Sequence, residues 1–325
     1  MAVKRCKLCK KTRSKVRVML AIQPVEGKHE VYLCEKCIKA SYKEVKKHLP
    51  KEVKTKNTKK QAQPKTQVPT PRQLKEYLDR FVIGQNDAKK EISIAVYNHY
   101  KRINNKAENC IQKSNVLVIG PSGTGKTYIA SNIAKALDIP FVIVDATTLT
   151  EAGYVGNDVT KIVEQLLHEA NYDVEKAQNG IVFIDEIDKK RKRTVDSSKD
   201  VSGEGVQQAL LKMVEGTTVT VSDAEGKSYD VNTSDILFIA GGAFVGLSDI
   251  VKKNMRGKST MGFNASVKTI TESKLLYKDA TSEDLIEYGL IPEFVGRFPV
   301  LVTLDPLTES SLAQILTVPE NSIIT

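Results

Sequence analysis

Residues 115–127 read NVLVIGPSGTGKT. An apolar run of strand length feeds straight into a loop holding Gly120, Gly123 and Gly125, followed by Lys126 and Thr127. The spacing fits G-x-x-x-x-G-K-[ST]. Such a loop works only between a buried strand and a helix, where glycines let backbone N–H groups curl around phosphates and the helix N-terminus adds its positive end. Three more runs match a buried strand: FVIVDA (141–146), GIVFIDE (180–186) and DILFIAGG (235–242). Helical patterns at about 157–169 and 203–215 separate them. Runs that are apolar on both faces and alternate with helices predict an α/β fold, a P-loop NTPase with a parallel sheet flanked by helices. Upstream, the segment from Pro71 shows helical spacing through Leu74, Leu78 and Phe81, then Ile92, Val96 and Tyr100.

The loop predicts binding of ATP or GTP. Gly120, Pro121, Ser122, Gly123, Thr124 and Gly125 form the phosphate cradle, and Tyr128 follows it directly. Lys126 is placed to reach the β and γ phosphates, and the Thr127 hydroxyl to ligate Mg²⁺. In IVFIDE, Asp185 emerges at the C-terminal end of a strand, where parallel sheets place ligands. It suits a Mg²⁺ site through water. Glu186 is then positioned to orient and deprotonate the attacking water, which points to hydrolysis beyond binding. The plain alternative is a strand ending in ordinary acidic residues. Arg297, in GLIPEFVGRFPV (289–300), reads as a helix end before Pro299. Arg is the residue type a trans-acting finger on a γ-phosphate needs, although an isolated Arg there reads as a surface ion-pair residue.

The net charge of +10 is uneven. Residues 1–71 hold 20 Lys and Arg against 5 Asp and Glu, and the remainder 29 against 34. Residues 43–70 are rich in Lys, Thr, Gln and Pro and nearly free of large apolar side chains after Leu49, the composition of a flexible basic linker. A solvated arm is the simple account of that charge; a grip on nucleic acid or an acidic partner is the other. Ahead of the linker, residues 1–42 carry Cys6-x2-Cys9 and Cys34-x2-Cys37 with 24 residues between the pairs. Two such turns supply the four thiolates of a closed, structural Zn²⁺ site, which a domain of this size needs in order to fold. Disulfides or redox pairs are the competing readings. The first segment lacks an apolar stretch for secretion, so a reducing, cytoplasmic setting is expected and argues against disulfides. No βαβ context supports a redox pair. Cys110 reads as a small apolar residue. No run of 18 apolar residues marks a transmembrane helix.

Taken in order, the four-cysteine module, FVIGQNDAKKEISIAVYNHYKRI, GPSGTGKT, EAGYVGNDV, GIVFIDEIDK, DVSGEGVQQALLK, ILFIAGGAF and GLIPEFVGRFPV closely resemble the ClpX family of AAA+ ATP-dependent protein unfoldases, over nearly the whole chain. The resemblance implies a four-cysteine zinc domain (1–42), a linker (43–70) and an AAA+ large ATPase domain (71–325). It implies that Gly153, Tyr154, Val155 and Gly156 form a pore loop gripping substrate polypeptide, and that Asp200 to Val206 form a second. It places Val82 and Ile83 against adenine. Met261, Gly262 and Phe263 stand where a peptidase-docking Ile-Gly-Phe is usual. Arg297 would reach the ATP of a neighbouring subunit in a hexamer. ATP, Mg²⁺ and Zn²⁺ are the implied cofactors. Protein substrates, a ClpP-like peptidase and adaptors bound through the zinc domain are the implied partners.

Three departures qualify these expectations. The gap between the cysteine pairs is long for the family, with PVEGKHE as the added stretch. The loop expected before the fourth strand, SDAEGKSYDVNTSD, lacks the Arg-Lys-His triplet that recruits tagged substrates and offers only Lys227. The chain ends at Thr325, ahead of the small helical domain and its nucleotide-sensing Arg, so weak ring assembly and weak or absent ATP turnover are expected of the chain as given. Two other functions compete: a non-catalytic form that binds nucleotide and partners or interferes with complete rings, and a nucleic-acid-remodelling ATPase. A nucleic-acid channel favours Lys and Arg. Here Tyr154 and Val155 lie between Glu151 and Asp158, which suits polypeptide. Before any ring is invoked, Tyr154 also reads as a turn residue folded into the core.

Overall fold

The computed structural model describes residues 5–22, 31–48, 68–104, 113–149, 155–192, 203–223, 226–259 and 277–322. The chain divides into two compact units, Met1–Thr66 and Gln67–Thr325.

In the first unit, β1 (Met19–Ile22) pairs antiparallel with β2 (Val31–Cys34), Met19 opposite Cys34 and Ile22 opposite Val31. Helix α1 (Glu35–His48) follows without a break, so helical backbone enters the first residues of the segment read as linker. The turn Cys6–Lys11 is closed by the Lys10 N–H on the Cys6 carbonyl and the Cys6 N–H on the Lys11 carbonyl, both at 2.9 Å. Lys10 adopts a left-handed φ of 60° to make that closure.

The second unit opens with Thr70, whose hydroxyl and amide form a capping box with Gln73 ahead of α2 (Pro71–Asp79). Pro71 at the first helical position suits that start. Then come α3 (Asn86–Asn104), β3 (Val116–Ile119), α4 (Lys126–Leu137), β4 (Phe141–Asp145), α5 (Val155–Glu169), α6 (Val174–Gln178) and β5 (Ile181–Asp185). The remainder is α7 (Gly203–Glu215), β6 (Thr218–Ser222), β7 (Ser228–Asn232), β8 (Leu237–Gly242), α8 (Leu247–Ser259), α9 (Ser282–Tyr288), α10 (Pro292–Gly296), β9 (Val300–Thr303) and α11 (Glu309–Thr317).

Five strands form one parallel sheet in the order β4-β5-β8-β3-β9. The central strands are buried on both faces, which is why they read as unbroken apolar runs. Successive side chains alternate between two cores. Leu117, Ile119, Val182, Ile184 and Phe238 pack with Ile162 and Leu166 of α5 and Leu210 of α7. Val116, Val118, Phe183 and Ile239 pack with Leu74 and Leu78 of α2, Ile92 and Val96 of α3, and Ile133 of α4. The four expected strands and the helices at 157–169 and 203–215 are present, as is the expected parallel, helix-flanked sheet. Two features differ from expectation. A fifth strand, β9, lies on the edge beside β3. The stretch read as a loop before the fourth strand contributes β7 of an antiparallel hairpin with β6. Val219, Val221 and Val231 of that hairpin pack on Val163 and Leu167 of α5; its other face is Thr, Ser and Asp, which disguised it.

Candidate functional site

The phosphate loop leaves the C-terminal end of β3. Gly123 (φ 77°) and Gly125 (φ 93°) take left-handed conformations that side chains resist, and Gly125 caps α4. Gly120 is required for a different reason: a Cβ there would stand 2.8 Å from the Leu304 Cβ. The Thr124 hydroxyl ties back to the Pro121 carbonyl at 2.8 Å. Lys126 rests its ammonium on the Gly120 and Pro121 carbonyls, at 2.7 and 2.9 Å. Burial lowers the Lys126 pKa, with Asp185 and Asp188 opposing the shift.

Strand order brings the second motif alongside. The Thr127 hydroxyl donates to Asp185 Oδ2 at 2.9 Å, and the Glu186 N–H donates to Asp185 Oδ1 at 2.9 Å. The two groups read as Mg²⁺ ligands, from motifs 58 residues apart, therefore lie one hydrogen bond from each other. Glu186 is exposed and has a φ of 55°, an uncommon conformation for a non-glycine residue, which turns the chain sharply at the strand end. Glycine-loop residues, Asp185, Glu186, Asp188, Gly242 and Ala243 line one cleft of about 490 Å³, with Tyr128 at its edge.

Several supporting residues were not singled out in the sequence. Asp188, 3% exposed, accepts from the Ala243 and Phe244 amides at 3.3 Å and so joins the turn after Glu186 to the end of β8. The Lys190 ammonium holds the Leu149 and Thr147 carbonyls, at 2.9 and 3.2 Å. Val82 is buried, with its carbonyl on the Lys89 ammonium at 3.0 Å, and Ile83 is half-buried. Next to them Gln85 brackets the Asp305 backbone, accepting from its N–H at 2.9 Å and donating to its carbonyl at 2.7 Å. This fixes the Val82–Ile83 segment to the chain leaving β9, whose Leu304 packs on Gly120. The turn after α11 reaches the same region: Glu320 pairs with Arg80, and the Asn321 amide bonds the Tyr128 hydroxyl. A polar residue carries no sign in the sequence that distant backbone will bury it.

Arg297 stands elsewhere. It caps the C-terminal end of α10, as expected, and its carbonyl accepts from the Asn115 amide at 2.9 Å. Asn115 also accepts from the Phe238 N–H, at 3.2 Å, at the start of β8. Because β9 runs parallel to β3, with Val300 opposite Val116, Arg297 lies at the N-terminal edge of the sheet. The phosphate loop lies at the other edge, about 15 Å away at strand rise along β3. That is beyond the reach of the guanidinium on its own stem. Its side chain, 54% exposed, pairs with Glu215 through Nε at 2.9 Å and Nη2 at 2.7 Å.

In the first unit, Cys6 and Cys9 sit on the Cys6–Lys11 turn, Cys34 ends β2 and Cys37 lies in the first turn of α1. All four Sγ atoms lie within 4.8 Å of one another. The Cys9 and Cys34 sulfurs are 3.5 Å apart, too far for a disulfide and close to the edge of a zinc–thiolate tetrahedron. Backbone N–H groups, first that of Cys9, hold Cys6 down to about 6; that of Cys37 lowers Cys34. The Cys34 sulfur in turn pushes Cys37 up to about 12. Thiols packed this closely cannot all ionise together without a cation among them, and the donor set fits Zn²⁺.

Gly153 and Tyr154 lie outside the described residues, as do Met261, Gly262, Phe263, Cys110 and residues 200–202. Val155 and Gly156 open α5, and Gly203 to Val206 open α7. No helix among the described residues is long and apolar enough to cross a membrane.

A family model described as AAA domain (Cdc48 subfamily) matches residues 111–301. The ATP-dependent Clp protease ATP-binding subunit ClpX of Treponema denticola is 45% identical over 334 residues, covering 98% of this chain and 77% of that protein. The proteins of the same name in Borrelia duttonii and Borrelia recurrentis are each 52% identical over 269 residues, covering 79% of this chain and 62% of theirs.

Proposed function

Since this chain belongs to the ClpX family of AAA+ ATPases, we propose that it hydrolyses ATP to unfold protein substrates and thread them through a homo-hexameric pore into a ClpP-like peptidase, in the cytoplasm. The observation that carries the catalytic part is the Thr127–Asp185 contact at 2.9 Å with Glu186 beside it. Bound ATP and Mg²⁺ supply the cleavable anhydride and the charge that Thr127 and Asp185 hold. Loop N–H groups from Gly120 to Thr127 and the helix N-terminus take the phosphate charge, and Lys126 leaves its two carbonyls to join them. Glu186 accepts the proton of the attacking water. Val82 and Ile83 form the base pocket.

Arg297, at the edge of the sheet away from its own phosphate loop, serves the nucleotide of the next subunit. That requires a ring. Tyr154, flanked by Gly153 and Gly156, presses on polypeptide without reading its sequence. Met261, Gly262 and Phe263 dock the peptidase. Zn²⁺ held by Cys6, Cys9, Cys34 and Cys37 folds the first unit, which receives adaptors. The test separates chemistry from grip. Glu186→Gln binds ATP and does not turn it over, whereas Tyr154→Ala retains turnover and fails to unfold a stable tagged protein. Unfolding at the parental rate by Tyr154→Ala removes Tyr154 from that role, and parental turnover by Glu186→Gln removes Glu186 from its own.

A further inference from the structure

The segment after Glu186 is fastened to the helix that carries Arg297, and one buried side chain makes the main link. Gln207 of α7 has no exposed surface. Its Nε2 donates to the Lys190 carbonyl at 2.8 Å and, more weakly, to the Gly289 carbonyl at 3.4 Å. Its Oε1 accepts from the Ile291 N–H at 2.9 Å. Ile291 is the N-cap of α10 and Arg297 its C-cap, so five helical residues separate the amide of Gln207 from the finger. Phe294 and Val295 are buried, which makes α10 a stiff lever. A second strand of contact runs beside the first: the Lys192 N–H donates to the Gly289 carbonyl at 2.8 Å. Gly289, at φ 118°, admits no Cβ there, because one would stand 2.9 Å from the Lys192 carbonyl. At the other end, Lys190 closes the four-residue turn that starts directly after Glu186, and Asp188 in that turn reads the end of β8.

An apolar side chain of the same size would fill this space. A primary amide spent instead on two backbone segments, at Lys190 and at Gly289–Ile291, fixes their mutual register, since Gln207 itself is buried and a slip leaves its polar groups unpaired. We infer that Gln207 is a positioning residue that transmits the state of the turn after Glu186 to the Gly289–Arg297 segment, so that nucleotide bound in one subunit sets the finger offered to the next. This rests on the reading of Arg297 as a trans-acting finger, and it adds the physical link between two sites that the sheet keeps at opposite edges. Coupling of this kind needs a measured effect at both ends.

The test is hydrogen exchange on the full chain, with a non-hydrolysable ATP analogue and with ADP, in the parent and in Gln207→Met. In the parent, the two nucleotides give different exchange over 289–297. In Gln207→Met that difference disappears, while the protection over 120–127 persists. ATP turnover in the variant falls about tenfold at a KM for ATP changed less than about twofold, a drop typical of intersite couplings. A nucleotide-dependent difference over 289–297 that survives in Gln207→Met overturns the inference, as does its absence from the parent. If Gln207→Met fails to fold, Gln207→Glu keeps the acceptor for the Ile291 N–H and loses the donor. It reproduces the defect at neutral pH and recovers as the pH falls and the buried carboxyl regains a donating proton; no recovery sinks the idea. If Arg297→Ala alone leaves turnover intact, the finger reading fails instead, and the exchange experiment still decides Gln207.

Discussion

Removing the metal from the four-thiol cluster is expected to unfold residues 5–22 and 31–48 and to leave the nucleotide unit folded. Among the described residues of the first unit, the buried apolar positions are Cys6 and Cys34 themselves. Leu8, Val18 and Leu20 stand 59%, 48% and 51% exposed. What remains is a pair of four-residue strands and one helix of 14 residues. An isolated two-stranded hairpin is marginal in water, and so is an isolated helix of that length. Neither has an apolar core to lean on among the described residues. A structural Zn²⁺ contributes roughly 10–16 kcal/mol at neutral pH, far more than one hairpin or one helix lacks. The chain has no Trp, so amide dispersion by NMR, with labelled protein titrated with a strong chelator, is the suitable assay. Amides of Met19–Ile22 and Val31–Cys34 should collapse into the unfolded range as zinc leaves, and those of β3, β5 and β8 should not move. Persistence of the dispersed β1 and β2 signals after zinc loss is confirmed by metal analysis would refute the reasoning, because it would mean that the unit holds itself together.

Gly120→Ala should lower stability by about 1–3 kcal/mol, the usual cost of overpacking, since the new Cβ meets Leu304 at 2.8 Å; denaturant melts with and without nucleotide check this, and ATP affinity should fall with it. His99 gives a pH signature. It is fully buried, its Nε2 donates to the Asp235 carbonyl at 2.9 Å, and Nδ1 has no partner. Burial, reinforced by the Arg102 charge, pushes its pKa from the usual 6.5 down to about 3. The unfolded chain therefore takes up a proton in that window that the folded chain refuses. The His99 contribution is complete above 6.5 and is lost as the pH falls towards 3, at about 1.4 kcal/mol per pH unit. Urea melts of the parent and of His99→Phe between pH 4 and 7 should diverge accordingly; parallel curves would exclude a neutral buried imidazole.

Much of this architecture could be read from the residues because its central strands are buried on both sides. NVLVIG, GIVFIDE and DILFIAGG can be little else, and glycines with Lys126 and Thr127 fix the loop between them. Cys6, Cys9, Cys34 and Cys37 announce their cluster by spacing alone. What stayed hidden had a physical reason. β9 is four residues long, follows Phe298-Pro299, and is half-covered as an edge strand. The β6–β7 hairpin shows polar Thr, Ser and Asp on one side and hides its valines against α5. Asn115, Asp188 and Gln207 are polar residues that become buried only because the topology brings distant backbone to them, and no local pattern predicts that. Arg297 is legible by residue type and its helix end; its place at the end of the sheet away from the phosphate loop follows only from the parallel register of β9 with β3.

The central claim is that hydrolysis at Glu186 depends on Arg297 from another copy of the chain. Its most direct measurement is complementation by mixing. Glu186→Gln and Arg297→Ala proteins are each assayed for ATP turnover alone, then together at equal concentration. The account predicts that both are inactive alone and that turnover appears on mixing, because about one interface in four then joins an intact Glu186 to an intact Arg297 in a ring of repeating head-to-tail contacts. A mixture no more active than its two components would contradict it.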